Sequence, residues 1–203
     1  KFSESYEKDG ELYFSDPKLV FEADELDPAG ADIYNMFVFS YAGKFIGMPE
    51  IYNRRSSLVS ADLLETITVE LAFSHDGYNW KRINQGKQFI PQGDGNSWDS
   101  GMIFALGSPV IIDNHLFFYY SGTNRRHHES GDSPAAGMDR LKKIGRGSLR
   151  VDGFVSLDAG PAGGILVTVP FYPQGKYLFI NADARDGEIG IEVLRDGHSF
   201  NVD

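Results

Sequence analysis

The stretch SHDGYNW at residues 74–80 carries an Asp-Gly pair that stands 67 residues after the matching pair of DGELY, residues 9–13. The same interval separates Asp32 from Asp99, and each of these aspartates opens a run of apolar residues. A repeat of this length, built of strands, predicts one β-propeller blade per period.

Short β-branched and aromatic runs bounded by Gly, Pro, Asn and Asp make up most of the chain, and the one candidate helix is residues 135–144. The Tyr41–Lys44 and Asp113–His115 stretches have the composition of hairpin turns. The predicted fold class is therefore all-β. The predicted strands of the two full periods are 32–40, 44–52, 66–74, 80–83, 99–106, 115–121 and 148–157.

The spacing of the apolar runs changes after residue 157, where a Gly-rich stretch precedes the runs ILVTVPF, KYLFINAD and GEIGIEVLRDG. We predict a partial β-propeller at residues 1–157, made of the end of one blade and two further blades. Residues 158–203 are predicted to be the start of a β-sandwich domain. Since a closed propeller needs at least four blades, we expect the chain to be part of a longer protein.

The amino-acid composition limits the classes of molecule that the protein is expected to bind. The formal net charge of −10 argues against nucleic acid and against an anionic membrane surface, because both need clustered Lys and Arg. The absence of cysteine excludes disulfides, a thiol nucleophile and thiolate metal sites. A neutral, polyhydroxylated ligand such as a carbohydrate is compatible with this charge.

Strand geometry predicts that chemistry-bearing residues gather at one rim, because the start of one antiparallel strand lies beside the end of the next. Glycoside hydrolysis needs two carboxyl groups flanking the bond. The carboxylates on this rim are Asp32, Glu50 and Asp99, and its basic residues are Arg54, Arg55, Arg125, Arg126, His127 and His128.

We predict that Glu50 is an acid/base residue and that the nucleophile is not among the residues identified. The predicted substrate-binding residues are Asp32, Asp99, Trp98, Arg54, Arg125 and His127, with Trp98 offering a stacking face to a sugar ring.

Each assignment has a structural alternative. Asp32 would cap a turn, Glu50 after Pro49 would be solvated, and the arginine pairs would hold the acidic rim by salt bridges. Asp76 is expected to hold its own turn. The acidic run from Asp24 to Asp27 is expected to be solvated surface.

No metal site is expected at His127 and His128, because neighbours on an extended chain point in opposite directions. No cofactor is expected, although a carboxylate-rich rim would permit a calcium ion.

Three segments resemble the five-bladed propeller glycoside hydrolases related to invertases, levanases and arabinanases, families 32 and 43. SHDGYNW at 74–80 looks like their S-x-D-G-x-x-W blade turn, and WDSGMIFA at 98–105 and FFYYSG at 117–122 are similar to strands of a late blade. The resemblance implies a five-bladed propeller followed by a β-sandwich, and a hydrolase acting on furanosides such as β-fructosides or arabinosides, in an extracellular or periplasmic setting.

The chain also departs from that pattern. It has no W-M-N-D-P-N type nucleophile motif and no E-C motif for the acid/base glutamate, and FSDP at 14–17 matches the R-D-P motif only superficially. The alternative function is therefore a non-catalytic carbohydrate-binding or interaction propeller that lacks the carboxylate pair. A sialidase-like propeller is a third hypothesis, since the blade turn and an arginine cluster are present.

Overall fold

The computed structural model describes residues 1–54, 64–128, 141–185, 187–195 and 198–201, and within them the regular elements are all β-strands. The strands are β1 (Ser5–Lys8), β2 (Glu11–Phe14), β3 (Ala31–Tyr41), β4 (Lys44–Asn53), β5 (Ile67–Val69), β6 (Leu71–Ser74), β7 (Trp80–Ile83), β8 (Met102–Ile112), β9 (His115–Thr123), β10 (Lys142–Arg150), β11 (Glu192–Arg195) and β12 (His198–Asn201). The all-β class is confirmed. In the described part of the chain no helix is long and apolar enough to cross a membrane.

The prediction of a helix at residues 135–144 is wrong for the part of this range that the structure describes. Residues 129–140 lie outside the described residues, but Lys142–Ile144 pair with β9 as the first part of β10. The strand is stabilised because its whole length forms an antiparallel ladder, from Lys142 opposite Thr123 to Arg150 opposite His115. Strand pairing thus overrides a weak local helical pattern.

The chain divides into two compact units, residues 1–151 and residues 152–203. In the first unit β3, β4, β6 and β7 follow one another as an antiparallel meander, with β5 also paired to β4. The second group of strands, β8, β9 and β10, is likewise antiparallel. A single parallel pair, Ile67 with Met102, connects β5 to β8.

Two predicted hairpin turns are confirmed. Ala42 and Gly43, between β3 and β4, have φ of 47° and 71°, and Asp113 and Asn114, between β8 and β9, have φ of 47° and 62°. Two successive residues with positive φ are typical of the type I′ turn, whose twist matches that of the flanking strands. Gly43, Asp113 and Asn114 are residue types that tolerate this conformation, whereas Ala42 adopts it without that preference.

Asp76 holds its turn as expected. Its Oδ1 accepts hydrogen bonds from the backbone N–H groups of Tyr78 and Asn79, at 2.8 and 2.7 Å. The side-chain amide of Asn79 donates to Oδ2 at 2.7 Å. These bonds, led by those from Asn79, hold the pKa of the Asp76 carboxyl below its usual value.

The predicted strand 66–74 is split at Glu70, whose side chain belongs to a buried ionic cluster. The Arg82 guanidinium contacts Glu70 Oε2 at 2.7 Å and Asp27 Oδ2 at 2.6 Å. The Asp27 side chain is only 3% exposed, so the expectation that this acidic segment is solvated is wrong for Asp27. The sequence argument missed that a distant arginine neutralises it.

The pKa values of the two carboxyls of this cluster shift in opposite directions, although burial raises both. Burial raises the pKa of Glu70, and the hydrogen bond from Arg82 only partly offsets this. For Asp27, hydrogen bonds from Arg82 and the Asp24 segment outweigh the burial and lower the pKa.

The core of the first unit lies between the two groups of strands. Phe39 of β3 and Phe89 both pack edge-to-face on Phe118 of β9, with ring centroids 6.1 and 5.4 Å apart. Ile67 and Ile103 are fully buried at the same junction of β5 and β8. Aromatic edge-to-face packing of this kind adds to the burial of apolar area.

The second unit contains the β11–β12 hairpin and an isolated bridge between Gly160 and Gly163. The runs at 165–171 and 176–183, predicted to be strands, have no strand pairing in the structure, and Tyr172 and Phe179 are exposed. A strand needs a partner to satisfy its backbone groups. The β-sandwich stays a prediction, as does closure of a propeller.

Candidate functional site

A bulge in β3 places several polar side chains on one face of the β3–β4 pair. Asp32 lies opposite Tyr52 of β4 and Asn35 lies opposite Glu50, while Tyr34 is the extra residue between these pairs. A bulge shifts the alternation of side chains by one residue. Asp32 and Asn35, three residues apart, therefore share a face with Glu50 and Tyr52, which are two residues apart on a regular strand.

Glu50 is the most unusual acid of this face. The structure buries it, at 1% exposure, where a solvated surface residue was the alternative. Its Oε1 accepts a hydrogen bond of 2.9 Å from the backbone N–H of Ala105 on β8. Burial raises the pKa of Glu50 from 4.5 to about 7, although hydrogen bonds from Ala105 and the Asn35 side chain act in the opposite direction. A carboxyl with this pKa is divided between its acid and base forms near neutral pH.

Asp32 and Arg54 form an ion pair at the surface of the same region. Their side chains are 50% and 60% exposed, so solvent screens the pair and it contributes at most about 1 kcal/mol. The prediction that an arginine holds the acidic rim by a salt bridge is confirmed for Arg54. Its partner in the sequence pair, Arg55, lies outside the described residues.

An aromatic cluster lies beside these acids. The Tyr34 ring, half exposed, is 6.3 Å from Tyr52, 6.0 Å from Phe104 and 5.3 Å from His127, measured between centroids. The Tyr52 hydroxyl donates a hydrogen bond of 2.6 Å to Glu65 Oε2. Burial, together with this bond, raises the pKa of Tyr52 to about 12, so the phenol stays protonated.

His127 and His128 do not point apart. They occupy a turn after β9, and their ring centroids are 4.4 Å apart. The premise of an extended chain was therefore wrong at this position. One ligand atom from each histidine and one from Glu65 lie within 4.8 Å of one another.

Asp99 and Trp98 form a separate group. Asp99 is 7% exposed, and its Oδ2 accepts a 2.8 Å hydrogen bond from the hydroxyl of Tyr120. Burial and this bond raise the pKa of Tyr120 to about 12. The Trp98 ring stacks on Tyr120, with centroids 5.7 Å apart and an interplanar angle of 10°. One face of the indole is thus packed against protein, and substrate binding by Asp99 and Trp98 stays a prediction.

Arg125 and Arg126 lie where β9 ends, near the start of β8. The Arg125 backbone approaches Gly101 so closely that a Cβ on that glycine would lie 2.2 Å from the Arg125 carbonyl oxygen. Arg126 Nη1 donates to the Leu64 carbonyl at 3.0 Å. The position of Arg126 is thus set by the loop before β5, and a sugar-binding role for Arg125 stays a prediction.

Sequence reasoning missed Glu65, Tyr34 and Tyr52. Glu65 precedes β5 outside the repeat pattern and has φ of 59°, an uncommon conformation for a residue other than glycine. The tyrosines read as ordinary strand aromatics. A bulge and a tertiary contact bring these three residues to the site, and neither leaves a signal in the local sequence.

No family model matches the chain, and no curated protein matches it. Among solved structures, a complex of BT0996 with RGII is similar at 14% identity and a TM-score of 0.45, over 64% of this chain and 35% of that protein. Another, described as a glycoside hydrolase, is similar at 15% identity and a TM-score of 0.41, over 59% of this chain and 33% of that protein. The chain spans about a third of the length of each.

Proposed function

We propose that the protein is a glycosidase-type, carbohydrate-active protein in which Glu50 is the proton donor. The observation that carries the proposal is the buried Glu50 carboxyl, whose pKa is about 7. A general acid must hold its proton at the working pH and still release it, so its pKa is best placed near that pH. Ordinary surface glutamates do not meet this requirement.

Asp32 is the proposed second carboxylate. It is a diagonal neighbour of Glu50 across β3 and β4, and such neighbours have Cα atoms about 7–8 Å apart. Asp32 is half exposed and paired with Arg54. Glycoside hydrolysis uses two carboxyl groups that flank the bond, one as the acid and the other as base or nucleophile.

The exposed part of the Tyr34 ring is the proposed platform for a sugar. Tyr34 lies beside Tyr52 and His127, and an aromatic face with nearby polar groups is suited to the apolar face and hydroxyls of a sugar ring. The sequence resemblance favours furanosides, with β-fructosides and arabinosides as the first substrates to assay.

The experiment compares Glu50→Gln with Glu25→Gln, a matched loss of charge at an exposed glutamate. Hydrolysis of aryl furanosides by Glu50→Gln should fall by about 10²–10⁴-fold. The loss should shrink with a dinitrophenyl leaving group, which departs without protonation. Wild-type activity should decline above about pH 7, where Glu50 loses its proton. Equal activity of the two variants on all leaving groups would contradict the assignment.

A non-catalytic carbohydrate-binding function is the second candidate, favoured by the 1% exposure of Glu50 and its bond to Ala105. Under this alternative Glu50 holds β8 against β4 and never meets substrate. Isothermal titration with fructans and arabinans would then show binding without hydrolysis. Tyr34→Ala would weaken that binding, and Glu50→Gln would leave it unchanged.

A further inference from the structure

We propose that Glu65, His127 and His128 form a binding site for a divalent transition metal ion, with Zn²⁺ as the best match. One ligand atom from each residue lies within 4.8 Å of the other two. In a tetrahedral zinc site the ligand atoms are about 3.3 Å apart, given metal–ligand distances near 2.0 Å. Side-chain rotations that move these atoms by an ångström or so therefore complete the site.

The backbone holds the two contributing segments together. The His127 N–H donates to the Glu65 carbonyl at 2.8 Å, and the Glu65 N–H donates to the Asn53 carbonyl at 2.7 Å. The Arg126 side chain adds a bond to Leu64. Two backbone bonds and one arginine side chain thus hold the loop before β5 and the turn after β9, which is the preorganisation a metal site requires.

The side chains themselves have the features of metal ligands. Among the residues that the structure describes, the buried His127 Nδ1 has no hydrogen-bond partner, and a buried polar atom left unpaired destabilises the folded state. Glu65 is 5% exposed and is oriented by the Tyr52 hydroxyl. A hydrogen bond to a ligating carboxylate from a neighbouring side chain is the usual means of orienting it. His128 is exposed, so an ion can enter from solvent.

The donor set selects the metal. Two imidazoles and one carboxylate suit zinc and neighbouring transition metals, whereas Ca²⁺ takes six to eight oxygen ligands. Three protein ligands leave a fourth position for water or a ligand hydroxyl, as in catalytic rather than structural zinc sites. The proposal is independent of the role assigned to Glu50, which belongs to β4 and is not a member of the cluster.

The test is isothermal titration of the metal-stripped protein with Zn²⁺, with Co²⁺ absorption as a readout of coordination. We expect one ion per chain and a visible Co²⁺ spectrum typical of four ligands. His128→Ala, at an exposed position and therefore expected to fold, should weaken Zn²⁺ binding at least tenfold. Tyr52→Phe, which removes only the orienting hydroxyl, should weaken it about tenfold.

Two controls separate this site from others. His75→Ala removes an exposed histidine elsewhere and should bind Zn²⁺ like the wild type, as should Glu50→Gln. Loss of binding in His75→Ala but not in His128→Ala would show an adventitious surface site and overturn the proposal. Absence of any Zn²⁺-induced rise in the unfolding temperature of the wild type would overturn it as well.

Discussion

Glu50→Gln should remove a large part of the pH dependence of stability. The pKa of Glu50 is 4.5 when unperturbed and about 7 in the folded protein. Between these values the folded state binds more protons than the unfolded state, so the free energy of unfolding falls as pH rises. Below pH 4.5 both states are protonated, and well above pH 7 both are ionised, so the fall is confined to this window.

The magnitude follows from the same pKa values. One pKa unit corresponds to about 1.4 kcal/mol, so raising the pKa from 4.5 to about 7 means a loss of about 3 kcal/mol across the window. Glutamine resembles the protonated acid in shape, and its carbonyl can still accept the bond from Ala105. The variant should therefore match the wild type near pH 4.5 and exceed its stability by about 3 kcal/mol at pH 8.

The assay is urea unfolding followed by the fluorescence of Trp80 and Trp98, which both belong to the first unit, at half-unit steps from pH 4.5 to 8.5. Glu70 also has a raised pKa and contributes to the wild-type curve. The difference between wild type and variant is therefore the informative quantity. Glu25→Gln is the control and should run parallel to the wild type. A constant difference for Glu50→Gln across this range would refute the argument that Glu50 is buried with a raised pKa.

Two further substitutions test the packing that supports the site. Arg82→Leu should destabilise the protein by about 3–5 kcal/mol, because it leaves the carboxylates of Glu70 and Asp27 buried without a cation. An unfolding temperature equal to that of the wild type would contradict the buried ionic cluster. Gly47→Ala should cost about 1–3 kcal/mol, because the new Cβ would lie 2.7 Å from a ring carbon of Trp80, whereas Gly95→Ala adds a Cβ in open space and should melt like the wild type.

The sequence predicts the meander of β3, β4, β6 and β7 well, because local residue patterns determine its strands and turns. Strand β7 has the predicted bounds 80–83, and β3 and β4 differ from prediction by a residue or so at their ends. The turns that separate strands contain residues that tolerate positive φ, as at Gly43 and Asp113-Asn114. Alternating apolar runs between such turns leave little freedom in register.

The errors arise where a distant partner decides the outcome. The local sequence predicts that Asp27 is a solvated acid, but the structure pairs it with Arg82, which is distant in the sequence. Glu50 reads as a surface residue after a proline, yet it is buried against β8. In each case the burial of the side chain depends on which strands pack together. The periodicity of a single sequence carries little information about that packing.

For the candidate site too, the sequence predicts some residues correctly and misses those that depend on distant contacts. The sequence predicts Asp32, Glu50, Arg54 and His127 at one rim. The structure pairs Asp32 with Arg54 and places His127 against Tyr34 and Tyr52. Glu65 and the paired arrangement of His127 and His128 were not foreseen. They depend on a turn where an extended chain was assumed and on a backbone bond between segments more than sixty residues apart.

The coincidence of several costly features on one face is itself an argument for function. The described residues of this face include a β-bulge at Tyr34, a left-handed backbone at Glu65, a buried acid at Glu50 and a buried nitrogen of His127 without a hydrogen-bond partner among them. Strained backbone, buried acids and unpaired polar atoms lower stability, and such features cluster where a protein binds or transforms a ligand. The proposed proton donor, Glu50, lies on β4, and the proposed metal ligands lie on two loops, so each proposal can fail while the other stands.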